Sequence, residues 1–248
     1  VLGWPGKTAD FERYYPTHFI TSDRGILFLW QVRMIFSGKF LTGRAPFRTV
    51  YIHPTVLTKD GKRMSKSLGT GIDPLVLTKK YGTDALRFGL AYLTTELQDV
   101  RFGEDTIVMG RKFANKIWNI ARYVFKKIGD EKIPDAAPSA SHDILEKLDA
   151  TALGVTESIE GLRFGEAAHL LYDFVWHDFA DRYVEETKEQ DDANTKHILA
   201  HVFGTSLKLL HPFMPFITEA LWQEFRTRDA AKEIKATEGL LMVEPWPR

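Results

Sequence analysis

The chain has 248 residues, 44% of them apolar, which is enough for one large hydrophobic core or two ordinary ones. Lys plus Arg equals Asp plus Glu at 33 each, so net charge alone does not point to nucleic acid, and the absence of cysteine excludes disulfides, thiolate metal sites and a cysteine nucleophile and fits a reducing cytoplasm. No apolar run approaches the roughly 18 residues of a membrane span, so no membrane partner is expected.

The start, "VLGWPGKTAD", has neither a basic nor an apolar leader region and no initiator Met, which suggests a piece cut from a longer chain. "THFIT" (17–21) and "TVYIHPTVL" (49–57) read as strands, the second apolar enough to be buried on both faces. Between them "GILFLWQVRMIFSG" reads as a helix over 25–38 ending near Gly38. The order is therefore β-α-β, for which a right-handed parallel crossover is the expected geometry. Pro54 implies an edge, or an early end, for the second strand.

From residue 74 the pattern turns helical. Asp73 reads as an N-cap, with Pro74 at the first helical position, Gly82 past the end and a new helix from Thr83. Phe113, Ile117, Ala121, Val124 and Ile128 form the apolar stripe of a helix over 107–128, whose other face is basic. A Pro/Ala/Ser connector (134–143) leads to helical patterns at 143–160, 164–188 and 193–210. After Pro212 and Pro215 a last helix carries Ile217, Leu221, Trp222 and Phe225 inward. Residues 107–228 thus read as a bundle of about five helices. Residues 1–110 hold 15 basic against 10 acidic side chains and residues 111–248 hold 18 against 23, so the front half is the basic one.

That basic excess gathers in "KDGKRMSKSLG" (59–69), where Lys59, Lys62, Arg63 and Lys66 face one acid, Asp60. Lys66 lies between two serines, and Gly61 and Gly69 flank the loop. These are the parts a loop needs to bring ammonium and hydroxyl groups to a polyphosphate, and it follows a strand end, where ligands bind in open parallel sheets. It is not a P-loop, because the order of Gly, Lys and Ser differs.

Read further, "DGKRMSKSLGTGIDP" closely resembles the KMSKS signature loop of class I aminoacyl-tRNA synthetases, here Arg63-Met64-Ser65-Lys66-Ser67, and the match continues into "YGTDALRF". "LGWP", "PFRTVYIH", "FANKIWNIARYV", "FVWHDFADRYVEETK", "LLHPFMPFITEALW" and "EPWP" resemble segments of the valyl members, with isoleucyl and leucyl members ranked second. The resemblance implies an α/β part followed by an all-α part. Residues 1–72 would be the second half of a Rossmann-type nucleotide fold, 73–106 helices that contact the stem, and 107–248 an anticodon-binding bundle.

It also implies an enzyme that activates valine with ATP, Mg²⁺ accompanying the phosphates, and then transfers it to tRNA. Lys66 would be the catalytic cation, and His53, Arg63, Met64, Ser65, Lys66 and Ser67 would contact ATP. Trp4, Ile26 and Trp30 would wall the valine pocket, Trp30 and Ile26 lying four apart on one helix. The basic face Arg111, Lys112, Lys116, Arg122, Lys126 and Lys127 could meet tRNA phosphates.

Three positions depart from the family pattern. Arg63 replaces the usual Lys, Pro54 replaces a glycine whose backbone lies against adenine, and Gly25 stands where the family has an aspartate for the substrate ammonium. Either Asp23 substitutes for that aspartate through a shifted backbone, or the ammonium is held by residues outside this chain. The family's His-Ile-Gly-His motif and its editing domain are not in this sequence. A C-terminal portion lacking the N-terminal catalytic half, and inactive alone, is the expectation; a non-catalytic tRNA- or protein-binding module is the alternative. His197 and His201 have no third ligand motif beside them, so no metal site is assigned.

Overall fold

The computed structural model describes residues 2–64, 69–94, 99–130, 132–133, 143–229, 231 and 239–247. The chain divides into two compact units, Val1–Met64 with Thr95–Arg101, and Ser65–Thr94 with Phe102–Arg248.

In the first unit the short helix α1 (Ala9–Tyr14) is capped by Thr8, whose Oγ1 accepts from Phe11 N at 3.2 Å. Strand β1 (Thr17–Asp23) then pairs in parallel with β2 (Phe47–His53), in register from Thr17 opposite Phe47 to Asp23 opposite His53. The crossover is helical but not one regular α-helix. A 3₁₀ turn (Arg24–Ile26) and a π-helical turn (Leu27–Val32) precede α2 (Arg33–Thr42).

Gly38 does not end this helix. A Cβ there would lie 2.7 Å from Tyr15 Oη and 3.0 Å from Pro46 Cδ, so the glycine lets the helix pass close to its neighbours. The terminator is Gly43, at φ 73° in the left-handed region where glycine is unstrained.

The single strand expected over 49–57 is broken at Pro54, which has no N–H to give a ladder. β2 ends at His53, and the next piece, β3 (Val56–Leu57), pairs in parallel with β4 (Val100–Arg101) in a second small sheet. Nor is β2 buried on both faces, since Phe47 is its one buried residue. Apolar composition signals burial only when layers cover both faces, and among the described residues this sheet has two strands.

The second unit begins as its caps foretell. Asp73 Oδ1 accepts from Leu75 N at 2.9 Å, Pro74 is the first residue of α3 (Pro74–Tyr81), and α4 (Thr83–Leu93) follows Gly82. Helix α5 (Glu104–Ile128) buries Phe113, Ile117, Ala121, Val124 and Ile128 as the stripe requires. The connector over 134–142 lies outside the described residues.

Helix α6 (Asp143–Glu160) is followed by α7 (Phe164–Asp173), which runs into a ten-residue π-helical stretch, Phe174–Tyr183, and the one-turn α8 (Val184–Glu186). Within that stretch buried residues recur at intervals of five, Phe174 with Phe179 and Val175 with Ala180. This matches the wider π turn, where the sequence reading had one continuous α-helix. Helices α9 (Ala193–Leu210) and α10 (Pro215–Phe225) complete the bundle. Leu221, Trp222 and Phe225 are buried, and Ile217 is half-buried against the core.

One contact ties the start of this unit to its far end. Asp84, buried at the head of α4, accepts from Phe216 N at 3.2 Å and from Ile217 N at 2.7 Å, and so caps the first turn of α10. Its charge also complements the positive end of that helix. Arg87 Nη2, one turn further along α4, donates to Pro212 O at 3.0 Å. The motif "YGTDALRF" is therefore built into packing. Asp84→Ala should lower unfolding stability by about 2 kcal/mol, and Asp84→Asn, which keeps one acceptor, by less, as read by denaturant titration.

His211, between α9 and α10, places Nδ1 2.8 Å from Thr218 Oγ1. Burial lowers its pKa, opposed by the nearby charges of Glu219 and Asp84. A histidine held neutral stabilises fully above its unfolded pKa of about 6.5 and loses that contribution as pH falls through its lower folded value. The unfolding midpoint should thus fall between pH 7 and pH 5, and His211→Gln should flatten that part of the profile.

Candidate functional site

Parallel pairing puts the carboxyl ends of β1 and β2 side by side, so Asp23 and His53 stand at one edge of the first unit. Asp23 caps the 3₁₀ turn, its Oδ1 accepting from Gly25 N at 2.6 Å and its Oδ2 from Thr55 Oγ1 at 2.6 Å. The Thr55 hydroxyl foremost, then Gly25 N–H and the charges of Arg63 and His53, hold the Asp23 carboxyl below the usual range against the opposing effect of burial. Asp99 lies alongside, accepting from Thr55 N at 3.3 Å and pairing with Arg24 at 2.6 Å. Thr55, Arg24 and Asp99 carried no motif. Asp99 is 75 residues from Arg24 in sequence, and β4 brings it to the site.

Arg63 reaches the same edge from a tight hairpin. Leu57 and Arg63 form an antiparallel bridge, Thr58 N donates to Lys62 O at 2.8 Å, and Gly61 takes φ 78° at the bend. The Arg63 guanidinium lies 3.8 Å from Asp23 Oδ1. A Cβ at Gly25 would stand 2.8 Å from Asp23 Oδ1 and 3.6 Å from both terminal nitrogens of Arg63, so carboxylate and guanidinium converge over that glycine. Met64 follows the hairpin, and Ser65, Lys66 and Ser67 lie outside the described residues. Across the edge, His53 Nδ1 is 3.0 Å from Pro54 O.

Trp4 and Trp30 line one open cavity of about 360 Å³, together with Tyr15, Arg33, Met34 and Leu41. Ile26 is not among its walls. It ends the 3₁₀ turn at φ −112°, ψ 7°, before the helix is established, so the four-residue stacking expected of a regular helix with Trp30 does not apply there.

In the second unit the six basic residues of α5 separate into two groups. Arg111, Lys112, Arg122 and Lys126 are exposed. Lys116 pairs with Asp181 at 2.6 Å and lies over the Trp176 ring, and Lys127 is 3.7 Å from Asp191. Asp178 pairs with Lys147, so Asp178 and Asp181 both belong to the charged rim of the packing. A cleft of about 830 Å³ joins Tyr123, Lys126 and Lys127 to Lys132, Lys188 and Lys196. The last three lie outside α5 and escaped a reading confined to that helix. Among the described residues no three His, Cys, Asp or Glu side chains gather as a metal site would require. Nor is any described helix long and apolar enough to cross a membrane.

Residues 1–103 match the family described as "tRNA synthetases class I (I, L, M and V)", and residues 141–248 match "Anticodon-binding domain of tRNA ligase". The valine–tRNA ligase of Pseudothermotoga lettingae is 44% identical over 100% of this chain. The chain belongs to the class I aminoacyl-tRNA synthetases. Its similarity extends to the valine–tRNA ligases of Lactiplantibacillus plantarum, 44% identical over 90% of the chain, and Symbiobacterium thermophilum, 39% over 96%. The chain spans 28%, 26% and 28% of the lengths of these three synthetases.

Solved synthetases share the fold. A LeuRS–tRNA–LeuAMS complex of Agrobacterium radiobacter K84 superposes with a TM-score of 0.75 at 21% identity, covering 94% of this chain and 28% of that one. Methionyl-tRNA synthetase of Mycobacterium tuberculosis, bound to methionyl-adenylate, gives 0.73 at 22%, covering 97% and 50%.

Proposed function

We propose that this chain is the part of a valine–tRNA ligase that supplies the RMSKS loop, part of the valine pocket and the anticodon-binding bundle. Whole-chain identity of 39–44% to valine–tRNA ligases carries the reading. Residues 1–72 would serve the nucleotide fold, 73–106 the stem-contacting helices and 107–248 the anticodon domain.

The reaction needs no covalent enzyme intermediate. The valine carboxylate attacks the α-phosphate of ATP, pyrophosphate leaves, and the tRNA 3′-terminal hydroxyl then takes the aminoacyl group from the adenylate. Catalysis comes from positioning and from cations set where negative charge develops. Lys66 stabilises that charge, with Arg63, Met64, Ser65 and Ser67 holding the phosphates of ATP, which arrives with Mg²⁺. His53 lies toward the adenine. Trp4 and Trp30 wall the valine side chain, with Ile26 at the entry of the helix, and Asp23, with its carboxylate over Gly25, takes the substrate ammonium. Arg111, Lys112, Arg122 and Lys126 meet tRNA phosphates, and Lys116 and Lys127 hold the bundle to which they are attached.

The chain alone does not catalyse, because the half of the site that carries the His-Ile-Gly-His motif belongs to the remainder of the enzyme. Valine-dependent ATP–pyrophosphate exchange, with isoleucine and threonine as competitors, tests this on the 248-residue chain and on the full-length synthetase containing it. Exchange in the full-length protein alone, favouring valine, is the expected result. Preference for isoleucine or leucine would reassign the substrate, and no exchange in either protein would leave a tRNA-binding module.

A further inference from the structure

We propose that Asp23 has two alternative cationic partners, the Arg63 guanidinium and the ammonium of the amino-acid substrate, so that nucleotide and amino acid strengthen each other's binding. The proposal rests on the ligase reading above and adds to it a positioning role for Arg63.

Two neutral donors, Gly25 N–H and the Thr55 hydroxyl, fix the orientation of the Asp23 carboxylate, and its side chain is only 16% exposed. Neither donor neutralises its charge. Arg63 does so loosely, at 3.8 Å with 67% of its side chain exposed, whereas the neighbouring carboxylate of Asp99 is held by Arg24 at 2.6 Å. The backbone of Arg63 is pinned by the bridge to Leu57, so leaving Asp23 requires a swing of the side chain and no refolding of the hairpin. Gly25 lets the carboxylate fold over its own backbone, since a Cβ there would stand 2.8 Å from Asp23 Oδ1, while the Arg63 nitrogens at 3.6 Å lie at ordinary contact distance.

A phosphate that draws Arg63 toward itself removes the competitor from Asp23, and an ammonium that occupies Asp23 releases Arg63 to the phosphate. Linkage makes the two effects equal. An exposed ion pair sets their size at about two- to fivefold. Arginine suits the role better than lysine because its planar head can face a carboxylate or a phosphate through two N–H groups.

The test uses the full-length synthetase containing this chain. L-valinol, which keeps the ammonium but cannot react, is titrated by tryptophan fluorescence with and without an ATP analogue bridged by methylene between the α- and β-phosphorus. In the parent protein the nucleotide should tighten valinol about two- to fivefold. Arg63→Gln should bind valinol tighter by the same factor without nucleotide and show no further gain with it, Arg63→Lys should retain the coupling, and 3-methylbutanoate, which lacks the ammonium, should show none.

Arg63 is exposed, so these variants keep the fold, and circular dichroism verifies it. Asp23→Asn provides an independent arm, weakening valinol and abolishing the coupling. Coupling that survives Arg63→Gln, or a nucleotide-free affinity unchanged by it, overturns the proposal while valine-dependent exchange in the parent protein upholds the ligase reading. Absence of that exchange overturns both.

Discussion

Replacing Glu244 by alanine is expected to destabilise the helical unit by about 3–5 kcal/mol, lowering its melting temperature by on the order of 10 °C. Glu244 Oε2 lies 3.3 Å from Lys208 Nζ on α9, and the two side chains are 1% and 10% exposed. Lys208 also lies 5.4 Å over the ring of the buried Trp222. Truncating the acid leaves an ammonium in an apolar setting without its counter-charge, and that loss exceeds the modest worth of an intact buried pair.

The segment bearing Glu244 is fastened at other points as well. Leu241 N donates to Glu219 Oε2 at 2.9 Å, and Trp246 Nε1 donates to Thr156 Oγ1 at 2.8 Å. Glu244→Ala therefore removes one fastening and leaves the strap in place. The control is the double replacement Lys208→Met with Glu244→Leu. If burial of a lone charge is the cause, that pair should recover most of the stability lost in Glu244→Ala. Calorimetry showing the double variant no better than the single one would place the loss in packing.

The second large effect is on chemistry. Lys66→Ala in the full-length synthetase should reduce valine-dependent ATP–pyrophosphate exchange about 10²- to 10³-fold, the usual loss when one preorganised donor to developing charge is removed. Valine affinity without nucleotide should hardly change, because Trp4, Trp30 and Asp23 belong to other segments of the chain. Lys66→Arg should recover only part of the rate, since a planar fork is not a compact point charge. Exchange unaffected by Lys66→Ala would remove the central residue of the proposed mechanism.

Where local chemistry determines the outcome, the sequence was readable. Asp73, Pro74 and Gly82 bound α3 as their capping preferences require, and the stripe from Phe113 to Ile128 is buried along its whole length. Gly38 misled because glycine has two uses. It was read as a terminator, while its place in the fold is one of close approach to Tyr15 and Pro46. Pro54 signalled the end of a strand, but which distant segment would pair with Val56 was not visible, since β4 lies more than 40 residues on.

The same distinction runs through the site. Lys66 and Arg63 stand in a recognisable motif, whereas Thr55 and Asp99 reach Asp23 and its neighbours only through tertiary pairing and have no signature of their own. In the bundle, spacing alone made six basic residues of α5 look equivalent. Lys116 and Lys127 are distinguished by acids on other elements, Asp181 and Asp191, that no single-helix pattern includes.

The cap that Asp84 gives to α10 also sets an order of events during synthesis. Its two backbone donors are added 132 and 133 residues after the carboxylate itself. At translation rates of about 5–20 residues per second, α4 waits roughly 7–26 s outside or within the ribosome for its partner. Until then the acid lacks these two donors, although Phe88 of the same helix already has Phe113 of α5 and Tyr172 of α7 to pack against, so a nascent chain stalled between α9 and α10 presents a nearly complete bundle with one uncapped seam.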